Sequence, residues 1–560
     1  MLLLSLAAAA TLYVPGDHDD LPSACAAAAD GDVISVDSGK AEYEIVSTYC
    51  GISNKTVTIE GAAPDTKVGP IIVQNGALVA TDLSVQNAGG SGNLVLRSSS
   101  LTGERLTLQP NGQHGLVVTE GSSVDVTGFT ASGFTGTSNA VVINGTDAAI
   151  HFTLTECELA DNRNSAIAAA GGNVVEIRLV DCSVTGNGTG FPPSGAGLYT
   201  VGAGVSVIVD GGEWSNNNAA DSGGAIHTSG DLNLGNVVFK ANQAQQGAAV
   251  WHKGGDLVLA SVRFEANTSL GATGGALLTA APARFDLLAV DFLHNSSLAA
   301  TPGTSGLVAN QLPDGALFQY GRFCGNGPKE PATEGFANAA LFNGSGSVQV
   351  FRSVFDQQTG ADLSAVLQLS GGGVFSLEHN TFANNADSAT LFLGAGTLRF
   401  YNNFVDGETS ALNLSGSIVA ENNAFRGIDV PSGWSSSFSI VEPDYLAYGL
   451  DIGCDADPQI GEKSELRDRG SEDVQATNAD DEGKPDVGAY WFAGAPVDTG
   501  DTGETGETGE TGDTSITEHS GEPRDSEPLP GFEPTGASGG CTHAGGGSAL
   551  LLLLLARRRR

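Results

Sequence analysis

The stretch that decides the fold reads Leu232-Asn-Leu-Gly-Asn-Val-Val-Phe239-Lys-Ala-Asn242. Its pattern returns 25 residues later as Leu257-Val-Leu-Ala-Ser-Val-Arg-Phe264-Glu-Ala-Asn267. Each copy alternates short apolar and polar runs, which is typical of a strand with one buried face, and then places Asn three residues after a large apolar residue. A strand this short cannot bury its apolar face alone, so the copies must stack on one another.

The same pattern marks a repeat along most of the chain. Neighbouring apolar anchors lie 21 to 32 residues apart, and fourteen of them span residues 83–425. Three short parallel strands per repeat predict an all-β fold, a right-handed parallel β-helix of about 14 coils that is roughly 65 Å long. We expect the anchors to form the core and the asparagines to hydrogen-bond from coil to coil. The anchors are Leu83, Leu106, Phe129, Leu159, Val184, Trp214, Phe239, Phe264, Phe292, Phe323, Phe355, Phe382, Phe404 and Phe425.

Composition and charge limit the function. The chain has 560 residues, with 64 acidic residues against 25 Lys and Arg and a formal net charge of -39. This balance excludes binding to nucleic acid or to an anionic membrane surface by charge attraction. The 78 glycines and the single methionine also argue against a helix-rich protein.

The N-terminal part carries a signal and a cap. Residues 1–10 form a short apolar run that ends in alanines, which predicts a secretory signal peptide cut near Ala10. A buried N-terminal helix is the alternative. We expect residues 11–56 to form the N-terminal cap and first coil, residues 57–450 the β-helix, and residues 451–497 a closing segment.

The C-terminal part has a different composition. A Thr-Gly-Asp/Glu repeat begins at Thr499, and residues 498–540 contain eleven acidic residues against one Arg. Residues 498–538 are therefore expected to be a disordered acidic tether. Residues 539–560 hold Gly540-Cys541, a Gly-rich spacer, a Leu-rich run too short to span a bilayer, and four terminal arginines.

This ending resembles the C-terminal sorting signals of Gram-negative bacteria, the MYXO-CTERM and GlyGly-CTERM kinds. The resemblance implies cleavage by a membrane protease near Gly540 and Cys541. The chain would then be displayed at the cell surface or outer membrane, or released. A plain tail anchor is the alternative.

Several stretches resemble known β-helix families. Thr11-Leu-Tyr-Val-Pro15, residues 26–36 and Val57-Thr-Ile-Glu-Gly61 look like the opening of secreted pectate-lyase-like proteins, in which an Ala-rich helix caps the open end. Gly223-Gly-Ala-Ile226 and Gly274-Gly-Ala-Leu277 resemble polymorphic outer-membrane protein repeats. Residues 457–490 resemble a closing segment that covers the last coil and prevents edge pairing.

The cysteines suggest two bridges. Cys25 lies in the expected capping helix and Cys50 in the loop behind the first strand, so a disulfide between them would hold the cap. Cys157 and Cys182 are 25 residues apart, each two residues before an anchor. They would lie on neighbouring coils, either as a disulfide or as two small core residues. Cys324 and Cys454 receive no assigned partner.

Two sets of residues are candidate ligand sites. Asp480, Asp481, Glu482 and Asp486 surround a glycine and suit calcium, with a merely solvated acidic turn as the alternative; no other cofactor is expected. His227 and His252 each follow an Asn by ten residues and are expected to stack on the outer face. That pair would bind a metal or a glycan or act as acid and base, unless its spacing is accidental. Trp251 and Tyr199 offer faces for stacking on sugars.

The sequence assigns no catalytic residue. Acidic side chains such as Glu265 and Asp291 are scattered, and Arg263 stands singly on its strand. We therefore expect an exported, surface-displayed β-helix that binds polysaccharide or another cell surface, with a sorting protease as a second partner. The alternatives are a polysaccharide lyase or glycoside hydrolase that acts on acidic polysaccharide, and a spacer without a ligand.

Overall fold

The computed structural model describes the central part of the chain. The described residues are 9–37, 49–64, 66–86, 92–110, 114–119, 121–136, 138–145, 148–172, 174–190, 192–271, 274–298, 304–328, 337–383, 385–406, 412–427, 429–434, 437–439 and 454. The chain divides into a unit that ends at Pro496 and a second unit from Val497 to Arg560, and every described residue belongs to the first. The predicted tether, residues 498–538, and the sorting signal, residues 539–560, lie outside the described residues.

The fold is a parallel β-helix of about 14 turns, as the repeat predicts. Each full coil contributes one strand to each of three stacks, which we name columns A, B and C. Columns A and B belong to one sheet of 31 strands, and column C forms a second sheet of 15 strands. A fourth, short stack of four strands joins columns B and C in the middle of the chain.

Column A contains the first strand of each coil. Its strands are Thr11–Val14, Val33–Val36, Thr56–Gly61, Ala77–Val85, Ser100–Leu108, Ser123–Thr127, Ile150–Thr155, Val175–Val180, Val205–Asp210, Asp231–Gly235, Asp256–Ala260, Arg284–Leu288, Ala316–Gln319, Ser347–Phe351, Val374–Glu378, Thr397–Tyr401 and Ser417–Glu421. The strands Ala77–Val85 and Ser100–Leu108 run on into column B.

Column B follows after a sharp turn. Its strands are Thr66–Val68, Thr130–Ser132, Glu158–Ala160, Ser183–Thr185, Glu213–Ser215, Val238–Lys240, Arg263–Glu265, Asp291–Leu293, Arg322–Cys324, Val354–Asp356, Thr381–Ala383, Phe404–Asp406, Ala424–Arg426 and Phe438–Ser439. The short stack is formed by Gln243–Ala244, Thr268–Ser269, Ser296–Ser297 and Gly327–Pro328.

Column C closes each coil. Its strands are Cys50–Ser53, Ile71–Gln74, Leu94–Arg97, Leu116–Thr119, Val141–Gly145, Ile167–Gly171, Leu198–Val201, Ile226–Thr228, Val250–His252, Leu277–Ala280, Leu307–Leu312, Ala337–Gly344, Thr359–Ser370, Ala386–Leu393 and Asn413–Leu414.

A short helix, Leu21–Ala27, caps the N-terminal end, which confirms the expected helical cap. Its first turn is capped by the Asp20 side chain, which accepts a hydrogen bond from the Ser23 amide at 2.8 Å. At the other end Lys55 Nζ donates to the Cys25 and Ala28 carbonyls, at 2.8 and 2.5 Å. These bonds satisfy carbonyl groups that a helix end leaves without partners.

Buried phenylalanines of column B form the centre of the core. Rings on successive coils stack almost face to face from Phe239 through Phe382, with centroids 4.7 to 5.1 Å apart. Trp214 is fully buried and precedes Phe239 in the same stack. Parallel stacking at this spacing follows from the distance between neighbouring strands.

Four of the predicted anchors lie outside this stack. Strand pairing places Val85, Leu108 and Ala131 in it, two residues after the predicted Leu83, Leu106 and Phe129. It also places Val405 there in place of the predicted Phe404. The cause is that all of these side chains are buried, so apolar character alone does not select the register.

A ladder of buried asparagines fixes one turn in each of seven successive coils. We name this set of residues the asparagine ladder, and each side-chain amide donates to the side-chain oxygen of the next member at 2.8 to 3.0 Å. The same amide also donates to a main-chain carbonyl of the coil before it, as Asn242 does to Trp214 at 2.7 Å. The members are Asn162, Asn187, Asn217, Asn242, Asn267, Asn295 and Asn326.

All six cysteines of the described part form disulfides. Cys25–Cys50 and Cys157–Cys182 are present as predicted, with Cα atoms 5.5 and 4.4 Å apart. The structure also pairs Cys324 with Cys454, whose Cα atoms are 5.4 Å apart. Cys454 packs on Leu293 and Cys324, whereas column B continues for five more strands beyond Cys324. This one described residue of the predicted closing segment therefore lies on the flank of the β-helix.

We expect the Asn242→Ala variant to lose about 3 kcal/mol of unfolding free energy. Its side chain makes two hydrogen bonds as donor and accepts two from Asn217, and all of them are buried. The measurement is the shift of the urea midpoint at constant m value. The control is Asn233→Ala, because Asn233 is exposed on column A. Equal losses in the two variants would contradict a role of the ladder in stability.

Candidate ligand-binding face

The outer face of column C carries a row of aromatic rings. Tyr199, His227 and Trp251 lie opposite one another on three successive strands. The ring centroids of Tyr199 and His227 are 5.1 Å apart, and those of His227 and Trp251 are 4.3 Å apart. We name these three residues the aromatic stripe. All three side chains are partly exposed, so the stripe is a surface that a ligand can cover.

Strand alternation explains why these rings face outward. Leu198, Ile226 and Val250 are fully buried next to them, and successive side chains of a strand point to opposite faces. The row of paired side chains continues to the partly exposed Ala168 on one side and to the buried Leu278 on the other. The stripe is therefore the exposed aromatic part of this row.

Glycines shape the connections that lead into column C. Gly223 and Gly247 have φ angles of 60° and 55°. A Cβ atom at either position would collide with the carbonyl oxygen of Ile226 or Val250. These sites therefore require glycine. The Gly-Gly-Ala motif that begins at Gly223 forms the turn that leads into the strand containing His227.

His227 is held by hydroxyl groups as well as by rings. Ser222 Oγ lies 2.8 Å from His227 Nδ1, and Ser194 Oγ lies 2.9 Å from Ser222 Oγ. Burial, and to a lesser extent the Lys253 ammonium, lowers the pKa of His227 to about 4. The imidazole is therefore uncharged at neutral pH. Lys253 Nζ itself lies 5.8 Å from the Trp251 ring centroid, within range of a cation–π contact.

His252 is not beside His227, so the predicted stack of two histidines is wrong. The outward partner of His227 is Trp251, and His252 pairs with Thr228 on the inner face. His252 is fully buried, and its Nδ1 lies 2.9 Å from Thr279 Oγ1. On the same inner row Thr200 Oγ1 donates to Thr228 Oγ1 at 2.8 Å. His252 is part of the core and cannot contact a surface ligand in this arrangement.

His227 and His252 face opposite sides of their strands because the connections that precede the two strands differ in length by one residue. The chain takes ten residues from Asn217 to His227 but only nine from Asn242 to Trp251. A shift of one residue moves a side chain to the other face of a strand. Equal spacing from the asparagines therefore predicted His252 at the outward position that Trp251 occupies.

A second group of polar residues lies on the outer face of column B and was missed by the sequence analysis. Lys240 Nζ lies 2.7 Å from Glu265 Oε1, and Arg263 lies 4.0 Å from the same carboxylate. Asp291 lies between Arg263 and Arg322, at 3.8 and 3.7 Å. Arg263 is thus not single, because coil stacking supplies its partners. We name these five residues the charged column.

Asp291 is the most perturbed carboxyl of the charged column. Burial raises its pKa above the ordinary value, although Arg322 and Arg263 act in the opposite direction. The ion-pair distances near 3.7 Å and the partial exposure make this a loosely paired surface network. The strand register would have revealed this network, because Arg263, Asp291 and Arg322 are paired residues on neighbouring strands.

The remaining predicted site residues lie outside the described part. This applies to Asp480, Asp481, Glu482 and Asp486 of the proposed calcium loop and to Gly540 and Cys541 of the sorting signal. Among the described residues, no group of three or more His, Cys, Asp or Glu side chains is arranged to hold a metal ion. In the same part of the chain no helix has the length and hydrophobicity needed to cross a membrane.

Comparison with known proteins gives weak similarities. The chain is similar to the crystal structure of pectate lyase Pel9A, with 13% identity, a TM-score of 0.22, and coverage of 87% of this chain and 98% of that one. It is also similar to a mutant of the PL6 family alginate lyase AlyGC, with 8% identity, a TM-score of 0.23, and coverage of 75% and 85%. No protein-family model and no curated protein matches the chain. TM-scores this low carry no argument about function.

The buried imidazole of His252 makes stability sensitive to acid. Burial lowers its pKa to about 4, although main-chain groups of Gly230 and Asp256 and the Asp231 carboxylate favour the charged ring. The unfolded chain binds this proton near pH 6.5, so the unfolding free energy falls as pH drops from about 6.5 to about 4. Above pH 6.5 both states are neutral and the histidine has no effect.

We expect the His252→Thr variant, which continues the inner threonine row, to lose less stability on acidification than the original chain. The difference should reach about 3 kcal/mol at pH 4, because each pKa unit corresponds to about 1.4 kcal/mol. Urea unfolding at pH 7.5 and pH 4 measures it. An identical pH dependence of both proteins would show that His252 titrates normally.

Proposed function

We propose that this protein binds polysaccharide on the outer face of column C and that the aromatic stripe is the contact surface. The observation that carries the proposal is the alignment of Tyr199, His227 and Trp251 on successive coils, with partly exposed rings 4.3 and 5.1 Å apart. A sugar ring presents C–H groups on one face, and these pack favourably on the exposed part of an aromatic side chain.

The rigidity of the stripe supports this function. Each ring stands on a strand whose neighbouring residues are buried in the core, and Ser222 and the flanking rings hold the imidazole. Binding costs less when the contact groups are already ordered, since little side-chain freedom is lost. Surface aromatic residues in such fixed positions are also the residue types that contribute most to binding energy.

Display at the cell surface belongs to the same proposal. The predicted signal peptide, residues 1–10, would export the chain, and the predicted cleavage near Gly540 and Cys541 would leave the acidic tether as a link to the envelope. Such a link would present the binding face outside the cell, where polysaccharide is found.

The mature protein tests this localisation. We expect the intact mass of protein isolated from the producing cells to correspond to a chain that starts near residue 11 and lacks residues 541–560. The expected mass also includes any group that the sorting protease adds. Recovery of the complete 560-residue chain from the cytoplasm would contradict it.

We expect the Trp251→Ala variant to bind its polysaccharide at least about tenfold more weakly, since loss of one such aromatic contact costs about 2 kcal/mol of binding free energy. The measurement is affinity electrophoresis or calorimetry of the purified chain against a panel of neutral and acidic polysaccharides. The assay also records new reducing ends and unsaturated products.

Tyr320→Ala serves as the matched control. Tyr320 is 41% exposed and contacts the Phe351 ring, but it lies at a turn that leads from column A to column B. Its removal is expected to leave binding unchanged. Equal losses in the two variants, or cleavage of the polymer that survives Trp251→Ala, would contradict binding on the stripe as the function.

A further inference from the structure

We infer that the aromatic stripe takes an uncharged, extended glycan and that His227 Nε2 hydrogen-bonds one of its hydroxyl groups. This inference rests on the proposed function and narrows it to a class of ligand. It is carried by three features of the stripe: the charges around it, the way His227 is held, and the direction in which the rings are arranged.

The charges around the stripe disfavour an acidic ligand. Lys253 is the cation nearest to it in sequence and lies against Trp251. Three exposed carboxylates flank the stripe residues in sequence: Asp221 precedes Ser222, Asp231 begins the column A strand that follows His227, and Asp256 begins the column A strand that follows Trp251. The sequence neighbours of the stripe thus carry three carboxylates and one ammonium, and the whole chain has a formal net charge of -39, so charge disfavours the binding of uronate or sulfate groups.

His227 offers one polar atom to a ligand. Its Nδ1 contacts Ser222, and its two faces contact Tyr199 and Trp251. None of the contacts that His227 makes in the described structure uses Nε2. When Ser222 donates to Nδ1, the proton of the neutral ring resides on Nε2, which then donates to a hydroxyl oxygen. An uncharged donor discriminates hydroxyl groups by position, whereas a charged one would favour carboxylates.

The rings define the length and direction of the ligand. Tyr199, His227 and Trp251 follow one another along the direction in which coils stack, with about 4.8 Å between neighbouring strands. A single sugar ring covers one or two of them. An extended chain that runs along the stacking direction covers all three, so affinity should rise with chain length and then level off.

The test compares one oligosaccharide with and without its charge. The probes are a hexasaccharide of galacturonic acid, its carboxyl-reduced counterpart, and neutral hexasaccharides of several linkages with their shorter homologues. Each is titrated calorimetrically into the full-length protein at pH 7. We expect neutral hexasaccharides to bind at least tenfold more tightly than the acidic one, and hexasaccharides to exceed monosaccharides by at least tenfold.

The variant His227→Phe tests the hydrogen bond separately. It keeps an aromatic ring between Tyr199 and Trp251 but removes both nitrogen atoms, so binding of the preferred neutral ligand should fall about fivefold to tenfold. Tyr320→Ala should leave binding unchanged. The urea midpoint of each variant establishes that it is folded before binding is compared.

The outcomes separate this inference from the proposed function. Tighter binding of the acidic hexasaccharide, at a site that Trp251→Ala abolishes, would overturn the neutral class and leave the function standing. Equal affinity for monosaccharide and hexasaccharide would overturn the extended ligand. Unchanged affinity in folded His227→Phe would overturn the role of Nε2. Absence of binding to every probe and to the polysaccharide panel would overturn both.

Discussion

The structure depends on asparagines that are buried and can satisfy their amide groups only across coils. Asn217, Asn242 and Asn267 each receive hydrogen bonds from the coil before and donate to the coil after, and all three are fully buried. An unsatisfied amide in this position would cost about 1 to 3 kcal/mol, so a slip of one residue in a coil of the ladder is unfavourable, because it breaks several buried hydrogen bonds at once. The residue before each of them adopts a positive φ angle, which gives the sharp turn that points the amide inward.

This fixed register brings residues that are distant in the sequence together on the outer surface. Residues that are 24 to 28 positions apart in the chain become direct neighbours, as Tyr199, His227 and Trp251 do on column C. The charged column arises in the same way on column B, where Arg263, Asp291 and Arg322 come from three coils. Between residues 162 and 326 the loop lengths between the columns can vary from coil to coil, because the asparagine ladder restores the register once in each turn.

Much of the fold can be predicted from the sequence, because the repeated residues are the ones that form the core and the hydrogen bonds between coils. Phe239 and Asn242, repeated as Phe264 and Asn267, predict both the buried stack and the ladder that the structure contains. The N-terminal cap and the Cys25–Cys50 and Cys157–Cys182 bridges are also confirmed. The Cys324–Cys454 bridge escaped prediction since it joins residues 130 positions apart, outside the period of the repeat.

The surface was harder to predict than the core, for a physical reason. The core tolerates either of two buried neighbours, so an error of two residues at Leu83 has no consequence for the fold. On the surface, a shift of one residue moves a side chain from solvent to the interior. The connection before Trp251 is one residue shorter than the one before His227, so Trp251 faces outward and His252 faces inward. All three residues of the stripe can be named as candidates from the sequence, but their spacing in the chain does not show that they are neighbours.

Binding on the aromatic stripe is tested most directly by a crystal structure of the protein in complex with the neutral oligosaccharide that binds most tightly. We expect sugar rings to lie against the exposed parts of Trp251 and Tyr199, with a hydroxyl group within hydrogen-bonding distance of His227 Nε2. Density for the sugar on the charged column or beside Tyr320, with the aromatic stripe left uncovered, would contradict it.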